Sequence, residues 1–280
     1  MKHSSMRQPW KPSPAIKASA VLHLGALSGV AAGLGWPWAV GGILANHAVL
    51  TIAGLWPRST LLGSNMRKLS APACDAQHIA ITIDDGPDPQ ITPQVLDILD
   101  AAGAQATFFC IGKAVEAHPQ LAREIIRRGH HIENHSYAHR HYFSVMGLDQ
   151  LRKEISRAQS VISQTTGHTP VYFRAPAGLR SPLLDPVLQS LNLQLVSWTR
   201  RGFDTVATDS GKVLQRLEKG LATGDILLLH DGNAGMTASG RALVLEVLPK
   251  LLDTLRARGF RAVSLRIAAD PLNSLKGVAE

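Results

Sequence analysis

Apolar positions from residue 77 onward switch repeatedly between two periods. Short runs such as Ile79-Ala80-Ile81 are rich in β-branched residues and read as buried strands, whereas longer stretches repeat apolar residues every three or four positions and read as helices. In chain order the pattern predicts a helix over Ile91–Ala102, with Val95, Ile98 and Leu99 on one face, and a strand over Ala106–Gly112. A helix over His118–Arg128 follows, with Leu121, Ile125 and Ile126 inward and Gly129 as its stop, and then a strand over His130–His135. Leu148–Thr166 reads as helix, Val171–Pro176 as strand, and Pro182–Leu191 as a helix opened by proline. Leu193–Trp198 reads as strand, Lys212–Ala222 as helix and Asp225–Asp231 as strand. Arg241–Arg258 is the last long helix and Arg261–Leu265 the last strand. Seven or eight such βα units in roughly 190 residues favour a parallel barrel over an open sheet.

The first quarter of the chain follows neither rule. Ala18 to Pro57 is a window of 40 positions without Lys, Arg, Asp or Glu. A bilayer core takes about 20 apolar residues per helical span, so the window has room for two. Gly35-Trp36-Pro37-Trp38 sits at its middle as a turn. Trp10, Trp36, Trp38 and Trp56 mark its edges and midpoint, the positions tryptophan favours at a membrane–water boundary. The reading is a two-helix membrane hairpin within residues 1–68, a linker at 69–76, one catalytic domain at 77–268 and a tail at 269–280. A signal peptide or single anchor is the alternative, although 40 uncharged residues exceed the apolar core of a cleaved signal. His23, Asn46 and His47 interrupt the window, as functional groups or as polar residues tolerated between helices.

Charge refines this picture. The formal net charge is +8, but residues 1–68 supply seven basic residues (Lys2, Arg7, Lys11, Lys17, Arg58, Arg67, Lys68) and no acidic one. Residues 69–280 hold 22 basic against 21 acidic. The excess flanks the hairpin and forms no basic face on the domain, so nucleic acid is not an expected partner. Basic ends and an uncharged central turn place both termini, and with them the domain, on the cytoplasmic side of the inner membrane; a periplasmic domain is the alternative. Cys74 and Cys110 offer no disulfide framework and no metal spacing.

The candidate chemistry falls at strand ends. Thr82-Ile83-Asp84-Asp85-Gly86-Pro87 runs from a strand into a Gly-Pro turn, and neighbouring strand residues point to opposite sides, so the two carboxylates are expected to take different tasks. The same residue types also favour plain turns. His135-Ser136-Tyr137-Ala138-His139 spaces two imidazoles four apart, which on a helical turn shares one face. Two histidines and a carboxylate make a three-ligand metal site with open positions. Alone, such a pair reads more readily as a partly exposed polar loop; a carboxylate pair at another strand end tips it toward a metal site. Arg174-Ala175-Pro176-Ala177-Gly178 and His230-Asp231 also end predicted strands, and a barrel brings strand ends to one rim.

These stretches, together with Ala106–Phe109 and Leu227–Asp231, resemble the polysaccharide deacetylase family, the NodB-homology or family 4 carbohydrate esterase group, over about residues 77–268. The resemblance implies a distorted (β/α)7 barrel and metal-dependent hydrolysis of an N-acetyl, sometimes O-acetyl, group on a sugar. It implies Asp85, His135 and His139 as metal ligands. Asp84 is implied as the base that deprotonates the attacking water, His230 as the acid that protonates the sugar amine, and Arg174 as the partner of Asp84. Zinc is the first choice of metal, with cobalt or nickel as alternatives. The expected substrate is an acetylated amino-sugar glycan or a polyprenyl-linked sugar at a bilayer, and deformylation or O-deacetylation would use the same groups. Two departures stand out: Ala177 replaces an aromatic residue, and Trp198-Thr199-Arg200-Arg201-Gly202-Phe203-Asp204-Thr205 carries Arg201 and Thr205 where the family has an acid and a Trp. Asp204 is expected to tune His230 or Arg174, or else to pair as a loop carboxylate with Arg200 or Arg201. Asp231 reads as a site or turn residue. The rival reading is a silent carbohydrate-binding relic, whose mark would be a lost ligand or base.

Overall fold

The computed structural model describes residues 10–270. The expected C-terminal tail lies outside them apart from residues 269 and 270, as do Lys2 and Arg7 of the basic flank.

Eight parallel strands form one curled sheet: β1 (His78–Asp84), β2 (Thr107–Cys110), β3 (His131–Asn134), β4 (Tyr172–Phe173), β5 (Gln194–Leu195), β6 (Arg200–Arg201), β7 (Ile226–His230) and β8 (Arg261–Val263). Their order is β5-β4-β3-β2-β1-β7-β6, with β8 paired to the first half of β1. The helices are α1 (Pro14–Ala31), α2 (Trp36–Leu55), α3 (Ala71–Asp75), α4 (Thr92–Ala101), α5 (Gly112–Ala117), α6 (Pro119–Arg127), α7 (Leu148–Thr166), α8 (Leu184–Ser190), α9 (Ser210–Glu218), α10 (Leu243–Ala257) and α11 (Leu265–Ala269). Strands alternating with helices around a curled parallel sheet are the distorted (β/α)7 architecture expected from the sequence.

Strand alternation decides what lies inside and outside. On β1, Ile79, Ile81 and Ile83 face the outer core formed with α4 and α10. Ala80 faces the barrel interior with Phe109, Ile226 and Val263. Thr82 and Asp84 continue that inner face upward, and Leu228 and His230 do the same on β7. The interior is thus apolar at its base and carries chemistry at the C-terminal rim, because one register of alternation runs through both levels.

The barrel stays open between β5 and β6. The predicted strand Leu193–Trp198 is shorter than expected: only Gln194–Leu195 pairs with β4, and the chain then crosses to pair Arg200–Arg201, a strand the sequence reading did not include, with β7. Met66 fills the gap by bridging Val196, with Met66 N–H donating to Leu195 O at 2.9 Å and Ser197 N–H to Met66 O at 2.8 Å. Composition assigned residues 57–68 to the anchor because they are basic and lack acids. Their backbone nevertheless runs along the barrel wall, since an open sheet edge needs hydrogen-bond partners.

α1 and α2 form an antiparallel pair, 18 and 20 residues long, about 27 and 30 Å at helical rise. Both are long and apolar enough to cross a membrane. Their large apolar side chains point outward, among them Val21, Leu24, Leu27, Leu44 and Ile52, unlike the core helix of a soluble protein. The polar interruptions meet across the pair. His23 Nε2 lies 3.3 Å from His47 Nε2, and Asn46 Nδ2 donates to Ser19 Oγ at 2.8 Å. The open end of the pair rests on the barrel: Trp10 Nε1 donates to Asp185 Oδ2 at 2.8 Å, and Arg180 N–H donates to Gly54 O at 3.1 Å.

Candidate active site

Asp84 and His230 are the last residues of β1 and β7 and stand side by side in register. Asp85, His135 and Arg174 each follow directly on a strand end. With His139, Trp198, Arg201 and Asn233, these strand-end groups surround a cavity of about 200 Å³, although the Arg174 guanidinium lies behind Asp84.

Two local arguments from the sequence are corrected. Asp84 and Asp85 do not point to opposite sides. Asp85 has a φ of 77°, and this left-handed turn brings its carboxylate back to the cavity that Asp84 faces. His135 and His139 do not share a helical turn either. Ser136 and His139 have φ of 64° and 47°, and the loop they make sets the two imidazoles side by side, tilted by 52° at 4.9 Å between centroids. The loop is held by polar side chains of the elements beside it: Asn134 Oδ1, at the end of β3, accepts from Ser136 N–H at 2.9 Å, and Glu154 Oε1, on α7, accepts from Ala138 N–H at 2.6 Å.

Asp85 Oδ1 lies 3.2 Å from His135 Nε2 and 3.3 Å from His139 Nε2. Tetrahedral coordination at about 2.0–2.1 Å sets ligand atoms about 3.3–3.4 Å apart. His135 Nδ1 lies 2.8 Å from Arg174 O, and a carbonyl only accepts, so Nδ1 carries the proton and Nε2 presents its lone pair to Asp85. Asp85 Oδ1 is buried without a hydrogen-bond donor. A buried carboxylate oxygen facing imidazole lone pairs calls for a cation, so these residues fit a divalent metal. Burial pushes Asp85 up, but His135, His139 and His230 outweigh it and hold Asp85 well below the usual carboxylate range. Burial lowers His135, yet Asp84 and Asp85 together raise it above the ordinary imidazole value.

Arg174 is fully buried and spends its guanidinium on the neighbouring base. Nη1 donates to Asp84 Oδ1 at 2.7 Å and to Thr82 Oγ1 at 2.8 Å, while Nη2 donates to Ser197 O at 2.9 Å. The ring of Phe109 lies 4.1 Å below it. Asp84 Oδ2 has no hydrogen-bond donor among the described residues and faces the cavity.

Asp204 meets His230 and not Arg174. Its Oδ1 accepts from His230 Nδ1 at 2.9 Å, and its Oδ2 accepts from the His230 backbone N–H at 2.8 Å. The alternative pairing with Arg200 does not occur, because Arg200 bonds Asp225 at 2.5 Å; Arg201 stacks between Trp198 and Phe203. Burial lowers His230, but the Asp204 bond and charge, with Asp84 and Asp85, raise it above the ordinary value. Asp231 is more than a turn residue. It is fully buried behind Gly86, accepting from Thr92 Oγ1 at 2.5 Å and from Gly232 N–H at 2.9 Å, and burial raises its carboxyl to about 7.

A family model described as polysaccharide deacetylase matches residues 72–196. A peptidoglycan-N-acetylglucosamine deacetylase of Bacillus cereus is 34% identical over 189 residues, 67% of this chain and 85% of that protein. The chain belongs to the polysaccharide deacetylase family. A chitooligosaccharide deacetylase of Azorhizobium caulinodans is 35% identical over 189 residues, 65% of this chain and 90% of that protein. Among solved structures, a family 4 carbohydrate esterase from Streptomyces lividans in complex with acetate superposes with a TM-score of 0.60 at 30% identity, covering 66% of this chain and 91% of that one. The named relatives are hydrolases of carbon–nitrogen bonds other than peptide bonds. The family is metal-dependent, and Asp85, His135 and His139 form a group that could hold a metal ion.

Sequence reasoning passed over several residues of the site. Asn233 Nδ2 donates to Asp85 Oδ2 at 3.2 Å; its only signal was a polar residue three places beyond the β7 end. Thr92, which secures Asp231, reads in sequence as an ordinary helix start. Gly178 admits two neighbours: a Cβ there would lie 2.6 Å from both Pro57 Cβ and Trp198 Cη2. Pro57, just past the second apolar helix, therefore packs against the cavity wall, which no local pattern announces.

Proposed function

We propose that this protein is a metal-dependent N-deacetylase of an acetylated amino-sugar glycan, anchored to the inner membrane by the α1–α2 hairpin. The observation that carries this reading is the convergence of Asp85, His135 and His139 on one point beside Asp84. A silent relic would have lost a ligand or the base, and all four are present.

In this reading Asp85, His135 and His139 hold the divalent ion, with zinc the first choice and cobalt or nickel as alternatives. When bound, the ion supplies Lewis acidity to the attacking water and to the amide carbonyl. Asp84 takes the proton of that water through Oδ2, while Arg174 keeps it ionised and fixed through Oδ1. The water oxygen adds to the acyl carbon, the carbon–nitrogen bond breaks, and acetate and a free sugar amine leave. An amine is a poor leaving group unless protonated. His230 delivers that proton from Nε2, because its Nδ1 proton is engaged by Asp204. Arg174 and Asp204 are positioning residues; Asp84 and His230 do the proton transfers. A backbone N–H near Ala177, which lines the cavity, is the donor assigned to the developing oxyanion.

The relatives' names point to N-acetylglucosamine in peptidoglycan or chitooligosaccharides as the substrate class. The basic flanks of an uncharged hairpin turn favour a cytoplasmic domain, where acetylated sugars are carried on polyprenyl phosphates. Acetate release from N-acetylchitooligosaccharide by the full-length protein, with Asp84→Asn as control, tests the reaction. Release by the native protein and none by the variant is the expected result. Bound metal with no release from any acetylated sugar would favour the relic.

A further inference from the structure

A groove larger than the catalytic cavity lies outside it. It has a volume of about 580 Å³ and is lined by Trp56, Arg58, Thr60, Arg67, Lys68 and Thr199, among others. Three of these are cations. Arg58 Nη1 donates to Thr199 O at 3.1 Å, and Arg67 Nη1 reaches Arg58 O at 3.4 Å. Among the described residues neither arginine nor Lys68 pairs with a carboxylate. Three uncompensated cations at one concave site repel one another, an arrangement that an anionic ligand relieves.

Position narrows the ligand. The groove begins where α2 leaves the apolar hairpin, and Trp56 at its wall is 60% exposed, as an interfacial tryptophan is. A hairpin that spans the membrane sets this groove at headgroup depth. On its other side the groove shares a wall with the catalytic cavity. Trp198 lines the cavity, the next residue Thr199 lines the groove, and Pro57 packs with Trp198 against Gly178. Arg201, also without a carboxylate partner among the described residues, carries positive charge onto the cavity side.

We propose that the Arg58–Arg67–Lys68 groove binds the phosphate or diphosphate by which a polyprenyl lipid carries the sugar substrate. The bound phosphate then sets the attached acetylated sugar in the neighbouring cavity. What happens to that sugar rests on the deacetylase reading above. Paired arginines suit the phosphate oxygens, which accept parallel hydrogen bonds from a guanidinium fork. A phospholipid headgroup has the same chemistry. The shared wall with the cavity assigns the site to the substrate.

The test uses the full-length protein in phosphatidylcholine nanodiscs and an Arg58→Gln/Arg67→Gln/Lys68→Gln variant. Native mass spectrometry is expected to show undecaprenyl phosphate bound to the native protein and lost from the variant, with undecaprenol bound by neither. Absence of undecaprenyl phosphate from the native protein overturns the proposal. In turnover, the variant is expected to raise KM for undecaprenyl-diphosphate-linked N-acetylglucosamine by about tenfold or more, leaving soluble N-acetylchitooligosaccharide within about twofold. An equal loss on both substrates means a structural role and overturns the proposal. Adding phosphatidylglycerol to the discs separates the two phosphate sources: an equal rise on both substrates that the variant abolishes assigns the groove to headgroups, against the proposal. An Arg58→Lys/Arg67→Lys variant that restores binding shows that charge is what is read, even where the neutral variant folds poorly. Phosphate-lipid binding without any deacetylation would sink the deacetylase reading and leave the groove standing.

Discussion

Arg174 Nη1 sits 2.7 Å from Asp84 Oδ1, and both side chains are almost wholly buried. Two charges this deep persist only because each satisfies the other and the remaining guanidinium protons reach Thr82 and Ser197. The pair fixes one carboxylate oxygen and leaves the other facing the cavity.

Arg174→Met is therefore expected to destabilise the protein by about 3–5 kcal/mol, because Asp84 is left as an unpaired buried charge. Thermal unfolding measures this. The Asp84→Asn/Arg174→Met double variant is expected to recover part of the loss, and an additive double variant would contradict the coupling.

Asp84→Asn alone is expected to lower kcat by about 10²–10⁴-fold, the range of a proton-transfer group. Its metal content, read by elemental analysis, should stay that of the native protein, because the ligands are Asp85, His135 and His139. A variant that loses metal and activity together would move Asp84 among the ligands.

How far the sequence could be read follows from these residues. β1, the phase of strand ends around the rim and the apolar hairpin were legible because they rest on periodicity, which one stretch of chain expresses by itself. The site was reached for partly mistaken local reasons. Asp85, Ser136 and His139 adopt left-handed backbone without being glycine, and that conformation leaves no mark on a hydrophobic pattern. Strand alternation and helical spacing therefore pointed to these residues through the wrong geometry, and the choice of Asp85 over Asp84 as the partner of the two histidines came from the family resemblance. Met66 and Pro57 were hidden for a different reason. Their partners, Val196 and Gly178, are more than a hundred residues away, and only closure of the sheet brings them together.

Asp204→Asn is expected to shift the pH profile of turnover. The Asp204 carboxylate raises His230 above its ordinary value, and the acid works only while protonated, so activity falls as pH rises through that value. Removing the negative charge lowers His230, and the alkaline limb should move to lower pH. KM should change little, since Asp204 lies behind the histidine. An unmoved limb would assign that limb to another group.

Gly86→Ala is expected to destabilise the loop beneath the ligands. The added Cβ would lie 2.4 Å from Asp231 Oδ1, a carboxylate locked by Thr92 and Gly232. Overpacking of this kind costs about 1–3 kcal/mol. Gly86→Ala/Asp231→Ala should lose less than the sum of its single variants in thermal unfolding, because the clash is gone.

The central claim is that Asp85, His135 and His139 close around one divalent cation. Its most direct measurement is metal content against acetate release for full-length protein stripped with a chelator and then titrated with zinc, alongside His135→Ala and His139→Ala. The account predicts that release returns in proportion to zinc and reaches its plateau at one ion per chain, with both variants failing to retain the ion. Undiminished release from the stripped protein, or from either histidine variant, would contradict it.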